Sequence, residues 1–228
     1  MIPRTLEPEV MDTATEDRDY NAMDHSAVNR VFVADFLHAV DDLDFDAHSQ
    51  RILDTGTGTA LIPIELCRQT ERCRVTAVDL SAEMLQVAQQ NVIEAGMTDR
   101  IDTRHIDAKQ LPYEDGIFDA VISNSIVHHI PQPIRALAEM LRVLRPGGLL
   151  FVRDLLRPDD VETVEHLVRT YTGKENTHQQ QMFHDSLHAA LTVDEVRDIL
   201  NELGRPPEWV TQTTDRHWTI VGRTDSDR

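Results

Sequence analysis

Cysteine is scarce: the 228-residue chain holds two, Cys67 and Cys73. Two are too few for a disulfide framework, and both read as reduced thiols near a helix end. Basic residues are also in deficit, with 22 Lys and Arg against 40 Asp and Glu and a formal net charge of −18. Nucleic-acid binding relies on clustered Lys and Arg that neutralise phosphates. Here the arginines are scattered, so no nucleic-acid partner is expected, and the surplus acid reads as a solvated, self-repelling surface. No apolar run approaches the roughly 20 residues of a bilayer-spanning helix, so no membrane span is expected. The first ten residues, Met-Ile-Pro-Arg-Thr-Leu-Glu-Pro-Glu-Val, have neither a basic head nor an apolar stretch. A secretory signal is therefore not expected, and a cytoplasmic location is. Repeats and low-complexity tracts are absent.

What is present is the balance of a soluble globular chain, 40% apolar and 27% charged, read as a single domain over 1–228. Residues 1–47 are expected to form an N-terminal arm and a helix from Ser26 to Val40, ending in the acidic loop Asp41–Asp46. From residue 48 to 156, short β-type runs alternate with helical ones. Strands are expected at Arg51–Thr55, Arg74–Asp79, Ile101–Asp107, Phe118–Ser123 and Leu149–Asp154. Helices are expected at 60–69, from Ser81 as N-cap to about Ala95 with Gly96 ending it, and at 134–144, stopped by Pro146-Gly147-Gly148. Alternation of this kind implies parallel pairing and an open, doubly wound α/β sheet. Residues 157–191 are expected to form a lid on the acceptor side. Residues 192–228 hold a helix opening on the capping box Thr192-Val193-Asp194-Glu195 and two short strands, Trp209–Thr214 and His217–Gly222. Those two would make an antiparallel edge hairpin, for seven strands in a mostly parallel sheet.

The chemistry is concentrated in Asp54-Thr55-Gly56-Thr57-Gly58-Thr59. Glycines after a first strand allow a tight turn and close approach of a ligand to the main chain. The dinucleotide pattern G-x-G-x-x-G fails at Leu61, and no Gly-Lys pair supports a P-loop. Asp54 would repel a phosphate but can balance the ammonium of an amino-acid moiety. Asp79, at the end of the second strand, can accept from both ribose hydroxyls, which points to a nucleoside. Asp107, with Ala108, ends the third strand and can accept from an adenine amino group.

Over residues 48–156 the sequence resembles the class I S-adenosylmethionine-dependent methyltransferases, closest in flavour to the ubiquinone/menaquinone-biosynthesis and small-molecule branch. The matching pieces are Ile52–Gly58, Val78-Asp79-Leu80-Ser81 with Met84-Leu85, Asp107–Tyr113, Phe118–Val121 and Leu144-Arg145-Pro146-Gly147-Gly148. The resemblance implies that Asp54, Gly56, Thr57 and Gly58 line the methionine end and that Asp79 holds the ribose. It further places Leu80 and Met84 around the adenine, Asp107 and Ala108 at its edge, and the backbone near Asn124 at the methionine ammonium. Tyr20 would close over the cofactor, as N-terminal tyrosines do in relatives. Many relatives have a third glycine where this chain has Ala60, a small residue expected to be tolerated.

The resulting expectation is methyl transfer from S-adenosylmethionine, yielding S-adenosylhomocysteine, to a small organic acceptor by in-line displacement. The protein would be a monomer or homodimer. The alternatives are a non-catalytic nucleoside-binding or regulatory protein on the same fold, or an adenosylmethionine-using enzyme of other chemistry. His128 and His129 follow the fourth strand at the ligand end of the sheet and are the candidate proton acceptors. His184 and His188 are four apart, but no H-E-x-x-H pattern accompanies them, and no metal site is expected. Arg153 and Arg157 are expected to pair with nearby acids.

Overall fold

The computed structural model describes residues 2–8, 26–42 and 51–225. Among them, seven α-helices and seven strands follow one another in chain order. The helices are α1 (Ser26–Asp42), α2 (Leu61–Gln69), α3 (Ala82–Glu94), α4 (Pro133–Val143), α5 (Val161–Thr172), α6 (Thr177–Ala189) and α7 (Val193–Glu202). The strands are β1 (Arg51–Thr55), β2 (Arg74–Asp79), β3 (Ile101–His105), β4 (Phe118–Asn124), β5 (Leu144–Leu155), β6 (Val210–Gln212) and β7 (His217–Arg223). They form one sheet in the order β3-β2-β1-β4-β5-β7-β6. The first four pair in parallel, and β6 pairs antiparallel with β7 at the edge, as the sequence predicts. In β4, the residues from Ala120 to Ser123 are all buried, the near-continuous apolar run of a strand covered on both faces.

The described residues divide into two compact units, each with its own core. The larger holds 26–42, 51–124, 135–152 and 221–225; the smaller holds 2–8, 125–134 and 153–220. In the larger, Phe151 receives Phe32 and Phe36 edge-on at centroid distances of 5.1 and 5.7 Å. Such pairs add about 0.5–1.5 kcal/mol each beyond area burial. Cys67 and Cys73 lie buried there as free thiols. In the smaller unit, Leu155, Val164, Leu167, Leu187 and Ala190 form the core.

Local signals behave as their chemistry requires at several helix starts. Ser81 Oγ accepts from the Met84 amide at the head of α3, and Thr192 and Glu195 close the expected capping box on α7. A second box, Asn176 with Gln179, opens α6 and turns the segment with five polar residues at its start into a helix.

Strand β6 is confined to Val210–Gln212, shorter than the expected Trp209–Thr214, and β3 and β5 also differ from expectation. β3 stops at His105, so Asp107 and Ala108 lie in the turn beyond it, where the Asp107 carbonyl accepts from the Gln110 amide. The stretch Arg145-Pro146-Gly147-Gly148 is not a break before the fifth strand but its beginning. The Gly147 amide donates to the Asp225 carbonyl, and Gly148 and Thr224 exchange bonds through main chain and hydroxyl. The partner that makes this stretch a strand lies at the far end of the chain.

Gly148 also marks a close approach. A Cβ there would sit 2.8 Å from the Arg145 carbonyl oxygen and 3.1 Å from that of Asp119. Gly148→Ala should therefore cost about 1–3 kcal/mol by overpacking against backbone. Urea denaturation of wild type and variant measures it, and an unchanged midpoint would contradict the contact.

Candidate functional site

The glycine turn is held by the end of β2. Gly56 and Thr57 both donate their amides to the Val78 carbonyl, at 2.8 and 3.0 Å. Gly58 donates to Asp79 Oδ2 at 2.7 Å, while Asp79 Oδ1 accepts from the Ser81 amide at 2.9 Å. One carboxylate thus ties the turn after β1 to the head of α3. Gly56 and Gly58 have φ of 70° and 54°, in the left-handed region that glycine enters without penalty. A Cβ at Gly58 would meet no atom within 4 Å, so the turn is open on that side. Ala60 also adopts φ 60°. The left-handed conformation costs an alanine about 1–2 kcal/mol, and the fully buried methyl returns roughly 0.8 kcal/mol.

Asp54 is 2% exposed, and its Oδ2 has no hydrogen-bond partner among the described residues. Burial pushes its carboxyl up to about 7, a nearby Thr57 hydroxyl offsets part of the rise, and the neighbouring Asp79 adds to it. Asp79 is also raised by burial, against which the amides of Ser81, Gly58 and Leu80 act. A buried carboxyl with an unsatisfied oxygen beside an open glycine turn suits a cationic donor such as an ammonium.

The other expected contact residues are dispersed along the same end of the sheet. Leu80 is half-buried, its carbonyl 2.8 Å from His105 Nε2, and Met84 is buried on the first turn of α3. Asp107 Oδ1 accepts from the Lys109 amide and faces Lys109 Nζ at 3.0 Å. That carboxylate is partly committed to its own turn, and Ala108 beside it is buried. Asn124 ends β4, half-buried, before Ser125 at φ 58°. Tyr20 lies outside the described residues. Near the amino ends of the strands, a hollow of about 240 Å³ is lined by Arg51, Arg74, Arg100 and Asp102. Open α/β sheets bind ligands at the opposite, carboxyl ends.

In the smaller unit, His128 and His129 form a 3₁₀ turn after Ser125. His128 is 3% exposed, with Nδ1 2.5 Å from Asp154 Oδ1. Asp154, fully buried, also accepts from the amides of Val127, His128 and Leu155. Burial alone would lower His128, but the charge and hydrogen bond of Asp154, helped by Glu7, hold it above the ordinary histidine value. His129 is depressed to about 3, by burial first and by His128 second. Sequence reasoning missed Asp154 as a functional residue, although it shares with Asp79 the carboxyl-terminal part of a strand. It also missed Glu7, more than a hundred residues from the histidines it faces, which no local pattern signals.

Arg157 pairs with Glu195 at 2.7 Å, and Arg153 donates to the Thr219 hydroxyl at 3.0 Å. His184 and His188 share one side of α6 with ring centroids 4.6 Å apart.

Residues 53–152 match the methyltransferase-domain family. Phosphatidylethanolamine N-methyltransferase of Cereibacter sphaeroides is 38% identical over 45% of this chain and 49% of its own. The 27-O-demethylrifamycin SV methyltransferase of Amycolatopsis mediterranei is 31% identical over 74% of this chain and 60% of its own. The chain thus spans about half the length of these curated relatives. Among solved structures, the plantazolicin methyltransferase BpumL in complex with S-adenosylhomocysteine superposes with a TM-score of 0.69 at 17% identity, covering 92% of this chain and 89% of that one. The [4+2]-cyclase SpnF superposes with 0.62 at 20% identity over 99% of both chains.

The raised value of Asp54 has a definite stability consequence. Between the ordinary carboxyl range and about 7, the folded chain keeps a proton that the unfolded chain has released. This residue's contribution is therefore full at pH 4 and falls as pH rises towards 7. Asp54→Asn should remove that fall, a relative gain on the order of 3 kcal/mol at pH 8 compared with pH 4. Urea denaturation at both pH values checks it; an unaltered pH slope in the variant would refute the assignment.

Proposed function

We propose, on the match of residues 53–152 to the methyltransferase-domain family and on the fold shared with an S-adenosylhomocysteine-bound methyltransferase, that the protein transfers a methyl group from S-adenosylmethionine to a small organic acceptor. The single observation that supports this most is Asp54, a buried carboxyl with one unsatisfied oxygen beside a turn of two left-handed glycines. When bound, S-adenosylmethionine supplies a methyl group already activated by its sulfonium, so the protein's task is alignment and exclusion of water.

In this reading Asp54 takes the ammonium, helped by the backbone near Asn124, and Gly56, Thr57 and Gly58 line the methionine end. Asp79, whose two oxygens each hold one amide, keeps lone pairs for the ribose hydroxyls. Leu80 and Met84 flank the adenine, with Asp107 and Ala108 at its edge. Where the acceptor must lose a proton, His128 Nε2 takes it and Asp154 holds the ring; Glu7, now 3.4 Å from that nitrogen, would have to give way. We assign the acceptor side to these histidines and to residues 157–191. The net charge of −18 favours a neutral or cationic small molecule over a nucleic acid. No helix among the described residues is long and apolar enough to cross a membrane, and we take the protein to act in the cytoplasm, as a monomer or homodimer.

The likeness to a [4+2]-cyclase favours one second reading, an enzyme of other chemistry on the same cofactor fold. Incubation with S-adenosylmethionine and metabolite extracts separates the two. Products heavier by one methyl, with S-adenosylhomocysteine released in equal amount, support transfer. Turnover of a metabolite without loss of the donor's methyl supports the other.

The cofactor assignment is tested by calorimetry with S-adenosylhomocysteine. Asp79→Ala and Asp54→Asn should each weaken binding at least about tenfold, since each leaves a polar ligand group unpaired. Because the ligand's ammonium needs the ionised form of Asp54, wild-type affinity should also fall as pH drops below about 7, while Asp54→Asn should lack that step. Undiminished binding in both variants, with folding verified by circular dichroism, would remove the assignment.

A further inference from the structure

In the smaller unit, three donor atoms from distant parts of the chain converge: a carboxylate oxygen of Glu7, Nε2 of His128 and Nδ1 of His129, all within 4.8 Å of one another. Glu7 Oε1 lies 3.4 Å from His128 Nε2 and 3.1 Å from His129 Nδ1. The hydrogen bonds around the cluster decide what these nitrogens present to it. His128 Nδ1 is committed to Asp154, so a neutral His128 turns the lone pair of Nε2 towards Glu7. His129 lies beside the Pro8 backbone, and its Nδ1 is buried without a hydrogen bond. With both rings neutral, two nitrogen lone pairs and a carboxylate oxygen therefore face one another with nothing positive between them. A positive charge must join them, either a proton or a cation.

We propose that Glu7, His128 and His129 form a site for a borderline divalent transition metal of the zinc class. Two imidazoles and one carboxylate are a recurrent ligand set for such ions, with further positions left to water or another ligand. Ligand atoms about 2.0–2.2 Å from a tetrahedral ion lie about 3.4 Å from each other, close to the 3.4 and 3.1 Å seen here. Magnesium and calcium prefer oxygen donors throughout, so the two nitrogens select against them. The second layer matches as well. Metal-bound histidines donate their other ring N–H to a carboxylate or carbonyl. Here His128 has Asp154, itself fixed by three backbone amides.

The segment that supplies Glu7 is anchored independently of any ion. Arg4 donates to the carbonyls of Ala189, His128 and Ile130, Thr5 donates to the His188 carbonyl, and Ser186 Oγ donates to Glu7. The carboxylate is thus delivered to the histidines by the fold. The inference does not rest on methyl transfer. It does imply that an ion and a proton at His128 Nε2 exclude each other, because both use one lone pair.

Cobalt(II) titrated into the metal-stripped full-length chain, without cofactor, tests the site. The expected result is one equivalent bound, with visible ligand-field bands of low coordination number, displaced by zinc(II) and indifferent to magnesium(II). Glu7→Gln keeps the side chain's shape and should weaken cobalt binding at least about tenfold while the circular dichroism spectrum is unchanged. His188→Ala should bind as wild type does. Absence of stoichiometric binding would overturn the proposal and leave the cluster joined by a proton. So would binding that survives Glu7→Gln and is lost in His188→Ala, which would place the ion on the His184–His188 pair of α6.

Discussion

The hydrogen bond from the Gly58 amide to the Asp79 carboxylate, at 2.7 Å, is the contact on which the carboxyl ends of β1 and β2 depend. It joins the turn after β1 to the end of β2, and the same side chain receives the Ser81 amide at the head of α3. Parallel strands are joined only through their crossovers, so nothing in the sheet ladder itself sets the course of the chain beyond the strand ends. Asp79 does so here. A ligand bound across these two strand ends would meet a turn already held in shape, with ordering cost paid at folding rather than at binding.

That arrangement sets the environment of Asp54. The glycines fold over the Val78 carbonyl, and the carboxyl beneath them is cut off from water with one oxygen unmatched. Folding alone would favour an apolar residue at this position. A group that is destabilising in its ionised form persists where a partner supplies what the fold does not, and its raised pKa marks that position. The energetic disadvantage and the binding capacity are one property seen with and without a cation beside it.

The parts of the molecule that could be read from sequence are those set by neighbours within a few residues. The β–α alternation, the Ser81 cap, the Thr192–Glu195 box and the edge hairpin all follow from local periodicity and hydrogen-bonding chemistry. The glycine turn and Asp79 were legible because their spacing to strand ends is fixed. What escaped depended on distant chain. Leu144–Gly148 reads as a helix stop until Thr224 and Asp225 are seen to pair with it. Asp107 reads as the end of a strand until β3 is seen to stop at His105 and the Lys109 amide and ammonium are found on its carboxylate. His128 and His129 were placed at the correct end of β4, yet their chemistry is set by Asp154 and Glu7, and no periodicity connects residue 7 to residue 128.

Three aspartates at or near strand ends show how one residue type is given different tasks by the number of donors around it. Asp154 receives three backbone amides and the His128 ring, and the charge of His128 and these hydrogen bonds together outweigh burial, so it stays ionised and acts on its neighbour. Asp79 receives the Gly58 and Ser81 amides, enough to hold a turn while leaving each oxygen a further lone pair. Asp54 has one oxygen with no partner at all and is raised to about 7. Desolvation is similar in kind for all three, so the donors and the neighbouring charge decide the outcome. A saturated carboxylate orients a histidine, a half-satisfied one holds a turn and can still bind, and an unsatisfied one is fitted to take a cation. What each carboxylate is fitted to do is therefore carried by hydrogen-bond satisfaction and neighbouring charge, which neither the identity of the residue nor its position on the strand reveals.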